Sequence, residues 1–186
     1  MIETVSIGKR IDYTGVQLRS HFVREAGGIR TDGVIAFRGG CDVEGGRLVD
    51  LEDAEECSSI VAREMQHFIG EHFQCPLREA AWRLRLFVTI VGEVLEDLPP
   101  SVKTSRSGDD LFVDGRKLTV AISTVTPVSA VFHCGVNIDP EGAPVPAIGL
   151  EELGADPGAV TTAVLDAYAA EVLSVENAVR KVRGTD

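Results

Sequence analysis

The sequence predicts an α+β fold, with a mixed, mainly antiparallel sheet and helices packed on one face. Three observations lead there. Asp114-Gly115 is a strong two-residue hairpin signal between two β-prone runs. A further strand-like run, Val131 to Ile138, follows soon after. Strand and helix runs are mixed along the chain, and the clearest strands are joined as a hairpin rather than through helices.

Element by element, Glu3 to Ile7 reads as a short strand. Asp12 to Thr14 has the look of a helix start, Gly15 to Glu25 of its body, and Gly27-Gly28 of its stop. Val34 to Phe37 is a short apolar strand that ends in Arg38-Gly39-Gly40. The acidic run Asp50 to Glu56 suits the positive end of a helix. The pattern after it places Ile60, Val61, Met65, Phe68, Ile69 and Phe73 on one helical face, up to Pro76. Leu77 to Leu98 reads as a longer helix, ended by Pro99-Pro100. After the hairpin and the Val131 strand, Gly142 to Pro146 is a loop. Ala159 to Val182 is a closing helix with an apolar stripe through Val164, Tyr168, Val172 and Val175.

Composition bounds the class. The 186 residues, 44% of them hydrophobic, suit one domain over 1–186 with a real core. No apolar run approaches the roughly 20 residues that span a bilayer, and MIETVSIGKR lacks the apolar stretch of a signal peptide. The expectation is a cytoplasmic protein without a membrane partner. A net charge of −11 argues against nucleic acid as the main partner, since a polyanion is repelled. The cysteines Cys41, Cys57, Cys75 and Cys134 form no CxxC pair, so free thiols and no metal site are expected. His67 and His72 stand five apart, which on a helix separates them by roughly 140° and rules out a zinc-protease pair. Neither GxxxxGK[ST] nor GxGxxG occurs, which excludes P-loop and Rossmann chemistry.

The hairpin carries the chemistry. With Asp114-Gly115 as the turn, Val113 faces Arg116 and Phe112 faces Lys117. Alternation then groups Leu118, Val120 and Ile122 on a core face. Lys117, Thr119, Ala121 and Ser123 share the other face with Asp110. In VFHCGVNI, Phe132, Cys134, Val136 and Ile138 are apolar, while His133, Gly135 and Asn137 form a small polar face. Side by side, the two polar faces make a floor for a small ligand. Lys117 suits an anion, Asp110 a donor or a metal, and Gly135 a close approach to the backbone. At the end of an earlier strand, Arg38, Gly39, Gly40, Cys41 and Asp42 combine a cation, freed backbone N–H groups, a thiol and an acid. That combination suits a phosphate or carboxylate clamp.

Asp109-Asp110-Leu111-Phe112-Val113-Asp114-Gly115-Arg116-Lys117-Leu118 resembles the central motif of the biotin and lipoate protein ligase catalytic domains. In biotin ligases that motif reads roughly K-W-P-N-D, three apolar residues, [ND]-G-[KR]-K. Arg106 matches its first lysine, Asp109 its Asn, Asp110 its Asp, and Lys117 the lysine that contacts the acyl-adenylate in that family. HCGVNI is similar to the family's G-I-G-x-N-V strand, with Gly135 and Asn137 in the matching places. FRGGCD is similar to the glycine segment of lipoate ligases, and AIGLEELGADPGAV to the lead-in to the family's last helix. The chain as a whole resembles domain-of-unknown-function family 366 through FRGGCDV, MQHFIGEHF and RSGDDLFVDGRKLTVAIST. The biotin ligases' G-R-G-R-x-G-R-x-W loop is absent, and Val120 stands where their motif has Gly.

The resemblance implies the class II synthetase type of α+β fold and activation or transfer of a small carboxylic acid through an acyl-adenylate, with ATP and Mg²⁺ as cofactors. It assigns Lys117 and Asp110 to catalysis. Together with the small polar strand faces, it assigns Arg38, Gly39, Gly40, Asp42, Arg106, Asp109, Thr119, Ala121, His133, Gly135 and Asn137 to the ligand. Octanoyl transferases of this fold use a cysteine with a lysine, so Cys41 is the nucleophile of an ATP-independent variant. A non-catalytic metabolite-binding module and a purely structural homodimer, paired through an edge strand, are the alternatives.

Overall fold

The computed structural model of the chain describes residues 2–55 and 59–185. Glu56 and Cys57 therefore lie outside the described residues. Strand β1 (Glu3–Ser6) pairs parallel with β2 (Gly33–Glu44). Antiparallel pairing continues through β3 (Ser59–Phe73), β8 (Ser129–Asp139) and β7 (Thr119–Val125), giving the sheet order β1-β2-β3-β8-β7. The hairpin builds a second, small sheet from β4 (Ser105–Ser107), β5 (Asp110–Val113) and β6 (Arg116–Lys117). The Asp114-Gly115 turn forms as expected. Both residues have positive φ, 50° and 74°, and Phe112 pairs with Lys117 and Val113 with Arg116.

Helices α3 (Leu77–Asp97) and α5 (Pro157–Lys181), with the one-turn α4 (Leu150–Leu153), cover one face of the large sheet. Phe87 packs tilted on Phe68 and Phe132 at 5.1 Å and edge-on against Tyr168 at the same distance. Such pairs contribute about 0.5–1.5 kcal/mol beyond their area. Pro157–Arg180 is apolar and long enough to cross a membrane by length and composition, contrary to the expectation from the run lengths. Its Val160, Val164, Leu165 and Tyr168 are nevertheless core residues under the sheet. The opposite face carries a smaller cluster of Tyr13, Val23, Ile35, Phe37, Cys41 and Met65, among others, capped by α1 (Phe22–Gly27).

Two expected helices are corrected. The segment from Ile60 to Phe73 is the central strand β3, not a helix. It is flanked on both sides, and Met65 to His72 are buried without interruption, so the period-2 signal of a half-exposed strand is erased. Gly70 pairs with Val34 and Phe132 within this strand, and a Cβ there would stand 2.2 Å from the Phe132 ring. The helix expected over 12–25 shrinks to α1. Residues 10–13 instead run along β2, with Ile11 N–H donating to Arg38 O at 2.9 Å, Tyr13 N–H to Gly40 O at 2.9 Å, and Asp42 N–H to Tyr13 O at 3.0 Å. The acidic run opens only the short helix α2 (Leu51–Glu55).

Candidate ligand-binding site

A cavity of about 280 Å³ opens on the sheet face opposite α3 and α5. Its floor is β7 and β8, its roof the segments around Tyr13, Arg47–Asp50 and Ala143–Ala147, and one wall is Ser59–Val61 at the start of β3. One end is charged. There Lys117 Nζ meets Asp110 Oδ2 at 2.8 Å, with both side chains about a third exposed or less, and Asp109 and Arg47 stand on the same lining. Apolar side chains, Val43, Ile60, Met65, Val120, Ile122 and Val145, line much of the remainder, which also includes Asp50, Ser59 and His133.

Six of the residues assigned from sequence line this cavity: Lys117, Asp110, Asp109, Ala121, His133 and Asn137. Strand β8 divides as its alternation predicts. Phe132, Cys134, Val136 and Ile138 join the helix-side core, and burial pushes the Cys134 thiol up. Asn137 Nδ2 donates to Lys117 O at 3.2 Å, which ties β8 to the hairpin. Asn137 Oδ1 has no hydrogen-bond partner among the described residues, although the residue is 3% exposed. A buried carbonyl oxygen without a donor is uncommon in a settled core.

The faces of β7 are inverted from Thr119 onward. Leu118 and Thr119 are adjacent, yet both are fully buried. Thr119 Oγ1 accepts from Leu111 N–H at 2.8 Å, so it serves the hairpin rather than a ligand. The parity slips because Lys117 still pairs in the small sheet while Thr119 already pairs with Val136 in the large one. Val120 and Ile122, read as core, therefore stand over Gly135 and His133 on the cavity side. Ala121 borders the cavity but pairs with Cys134 and packs on the helix-side core. Gly135 does not expose backbone. A Cβ there would meet Met65 Sδ at 2.9 Å, Val120 Cγ2 at 3.2 Å and His133 Cε1 at 3.3 Å, so the space belongs to those side chains.

The glycine segment does not reach the cavity either. It continues β2, where the register shifts between Gly39 and Cys41. A Cβ on Gly39 would lie 1.9 Å from Ile11 O, and Gly40 N–H donates to Asp12 Oδ1 at 2.8 Å. These glycines admit the 10–13 segment instead of cradling a phosphate. Arg38 is exposed on the other face of the sheet, in a separate cleft with Lys9, Gln66 and Gly158 of α5. Cys41 is 2% exposed under the Tyr13 segment, and burial pushes its thiol up to about 12. Such a thiol stays protonated and is a poor nucleophile. Asp42 is exposed on β2, and Arg106 lies on β4 with its guanidinium donating to Gly108 O.

Other residues complete the site. Tyr13 stacks on His133 with ring centroids 3.7 Å apart and planes 8° from parallel. His67 Nδ1 meets His133 Nε2 at 3.0 Å, and His67 Nε2 lies 3.3 Å from Gly39 O. Burial holds His67 down at about 4 and His133 well below the ordinary imidazole value, so both rings are neutral at neutral pH. In a strand, residues five apart point to opposite faces. His67 accordingly joins the cavity side, whereas His72 turns to the helices, its Nε2 3.0 Å from Tyr168 Oη. Arg47, at the end of a short 3-10 turn over Gly45–Arg47 with no motif, left no signal in the sequence.

The DUF366 family profile, described as a domain of unknown function, matches residues 2–183. An uncharacterized protein of Methanocaldococcus jannaschii is 33% identical over 184 residues, covering 95% of this chain and 82% of that protein. A protein of unknown function from Pyrococcus horikoshi superimposes with a TM-score of 0.94 at 37% identity, covering both chains fully. Biotin protein ligase from Aquifex aeolicus in complex with biotin and ATP superimposes at 0.56 with 16% identity, over 90% of this chain and 69% of that one. P. falciparum LipL1 in complex with lipoate gives 0.55 at 11% identity, over 88% and 60%. The last two likenesses show the fold, that of the biotin and lipoate ligase catalytic domains.

Proposed function

The chain belongs to the DUF366 family, and from that premise we propose that its cavity binds a small carboxylic acid and activates it as an acyl-adenylate with ATP and Mg²⁺. The observation that carries this reading is the charged end of the cavity, where Lys117 meets Asp110 on the same lining as Asn137, whose buried Oδ1 has no donor among the described residues. A ligand N–H, such as the exocyclic amine of an adenine, would satisfy that oxygen. Lys117 is the cation that would meet the negative charge of a carboxylate and of an acyl phosphate. Asp110 holds its ammonium in place until a ligand does. Arg47, on the same lining, adds a second cation.

Bound ATP would supply the adenylyl group. Asp109 and Asp110 are hard oxygen donors of the kind Mg²⁺ takes. Among the described residues no group of three or more His, Cys, Asp or Glu suits a metal ion, so Mg²⁺ would depend on nucleotide oxygens for its remaining ligands. The ATP bound in the Aquifex aeolicus ligase of the same fold supports the nucleotide. One observation favours a second reading, a binding module without chemistry: Gly39 is filled by Ile11 and Arg38 faces away, which removes two expected phosphate contacts. The buried Cys41 thiol disfavours the ATP-independent transferase.

Thermal melting against ATP–Mg²⁺, biotin, lipoate and octanoate, alone and combined, tests the proposal, with Lys117→Ala alongside. A ligand that binds only the folded state at a hundredfold excess over its Kd adds about 2.7 kcal/mol. The adenylate reading expects shifts with nucleotide and with an acid, both lost in Lys117→Ala, and pyrophosphate release when both are present. A shift with acids and none with any nucleotide would leave the binding module standing instead.

A further inference from the structure

The protons of the His67–His133 pair are dictated from one end. Gly39 C=O can only accept, and it lies 3.3 Å from His67 Nε2, so that nitrogen carries the hydrogen. A neutral imidazole has one N–H. His67 Nδ1 is therefore bare and accepts the Nε2–H of His133 at 3.0 Å. The single hydrogen of His133 is then also on Nε2, and its Nδ1 is left as a bare acceptor.

The ring is held so that this atom has one use. Tyr13 covers one face, and Cε1 lies over Gly135. Nδ1 is the remaining polar atom of a side chain that lines the cavity, and no described residue donates to it. Met65, Val120 and Ile122 around it offer no donor. His133 and Asn137 are four residues apart on one strand face, about 13 Å between Cα atoms. The charged end at Lys117 and the acceptor at His133 are therefore two stations for one elongated ligand.

We propose that His133 Nδ1 is the specificity determinant of the cavity, selecting acids that carry an N–H or O–H group at the end opposite the carboxylate over plain aliphatic acids. His67 is its positioning residue and fixes the tautomer. The inference rests on the reading of the cavity as an acid site. A plain alkyl tail would cover the nitrogen and leave it unpaired, whereas a donor satisfies it, and sites built around a buried acceptor discriminate on that basis.

The probes are 6-hydroxyhexanoate and heptanoate, which differ by a hydroxyl in place of a terminal methyl. Calorimetry would compare both acids on the wild-type chain, His133→Phe, His67→Met and His67→Gln. Wild type prefers the hydroxy acid, and His133→Phe lowers that preference about tenfold while heptanoate still binds. His67→Met lowers it as well. His67→Gln restores it, because an amide can donate to Gly39 O and accept from His133 as the imidazole does. An unchanged preference in His133→Phe would overturn the inference and leave the cavity reading intact. If neither acid binds wild type, the cavity reading falls and takes the inference with it. Nitrogen-15 spectra of histidine-labelled wild-type protein test the relay without ligand or mutation. Both rings should be Nε2–H tautomers, and an Nδ1–H on His133 would overturn the assignment.

Discussion

His67 and His133, on neighbouring strands β3 and β8, meet nitrogen to nitrogen at 3.0 Å with neither ring charged. Burial is the main cause. Asp12 and the Gly39 and Gly40 carbonyls pull His67 the other way, and Arg10 reinforces the burial. The folded value of about 4 lies below the ordinary 6.5, so the unfolded chain binds protons that the folded chain refuses. The stability from this site is complete above pH 6.5 and is lost as pH falls toward 4. Melting temperatures between pH 8 and 4 should drop by several degrees in wild type and less in His67→Gln. Equal pH profiles for the two would contradict the assignment.

Lys117→Ala should separate binding from folding. The Lys117–Asp110 pair is partly open to water, and such pairs contribute less than about 1 kcal/mol. The unliganded melting midpoint should move by only a few degrees, while affinity for any carboxylic acid that binds the cavity falls at least tenfold. A midpoint that collapses would mean Lys117 is structural.

Gly39→Ala should damage the roof from a distance. The new Cβ would sit 1.9 Å from the backbone oxygen of Ile11, an atom with no rotamer to move. A cost of about 3 kcal/mol or displacement of the 10–13 segment is expected, and Tyr13 would then lose its stack on His133. Gly8→Ala, where a Cβ meets nothing within 4 Å, is the control and should melt as wild type.

Tyr168→Phe tests the clasp between α5 and β3. Tyr168 Oη is 3.0 Å from His72 Nε2, and His72 Nδ1 is 3.4 Å from Asp32 Oδ2. Removing the hydroxyl strands a buried imidazole nitrogen, at about 1–2 kcal/mol. Chemical denaturation measures it through the midpoint at constant slope.

Alkylation distinguishes the thiols. Cys41 and Cys134 are buried and their thiols are pushed up, so iodoacetamide at pH 8 should leave both unmodified in the native protein and label them only after unfolding. Rapid native labelling of Cys41, read by mass spectrometry, would reopen the thiol-transfer chemistry.

What could be read from the chain was what is local. The Asp114-Gly115 turn sets its own register because positive φ at both residues admits few alternatives, so the turn alone brings Lys117 and Asp110 together. The two-faced alternation of β8 was also legible, since one of its faces is polar. Helix α3 was legible because its apolar stripe and terminal prolines agree.

Only tertiary structure decided the remainder. Strand β3 is buried on both faces, so nothing in its residue spacing distinguishes a strand from a helix. The parity slip at Leu118–Thr119 arises where one chain passes between two sheets, and a break in pairing leaves no mark in composition. Register alone sends Arg38 to the helix side and His67 to the cavity side of the sheet, because one residue of shift exchanges the faces of a strand. Tyr13, His67 and His133 lie far apart in sequence, and their stacking exists only once β2, β3 and β8 are side by side.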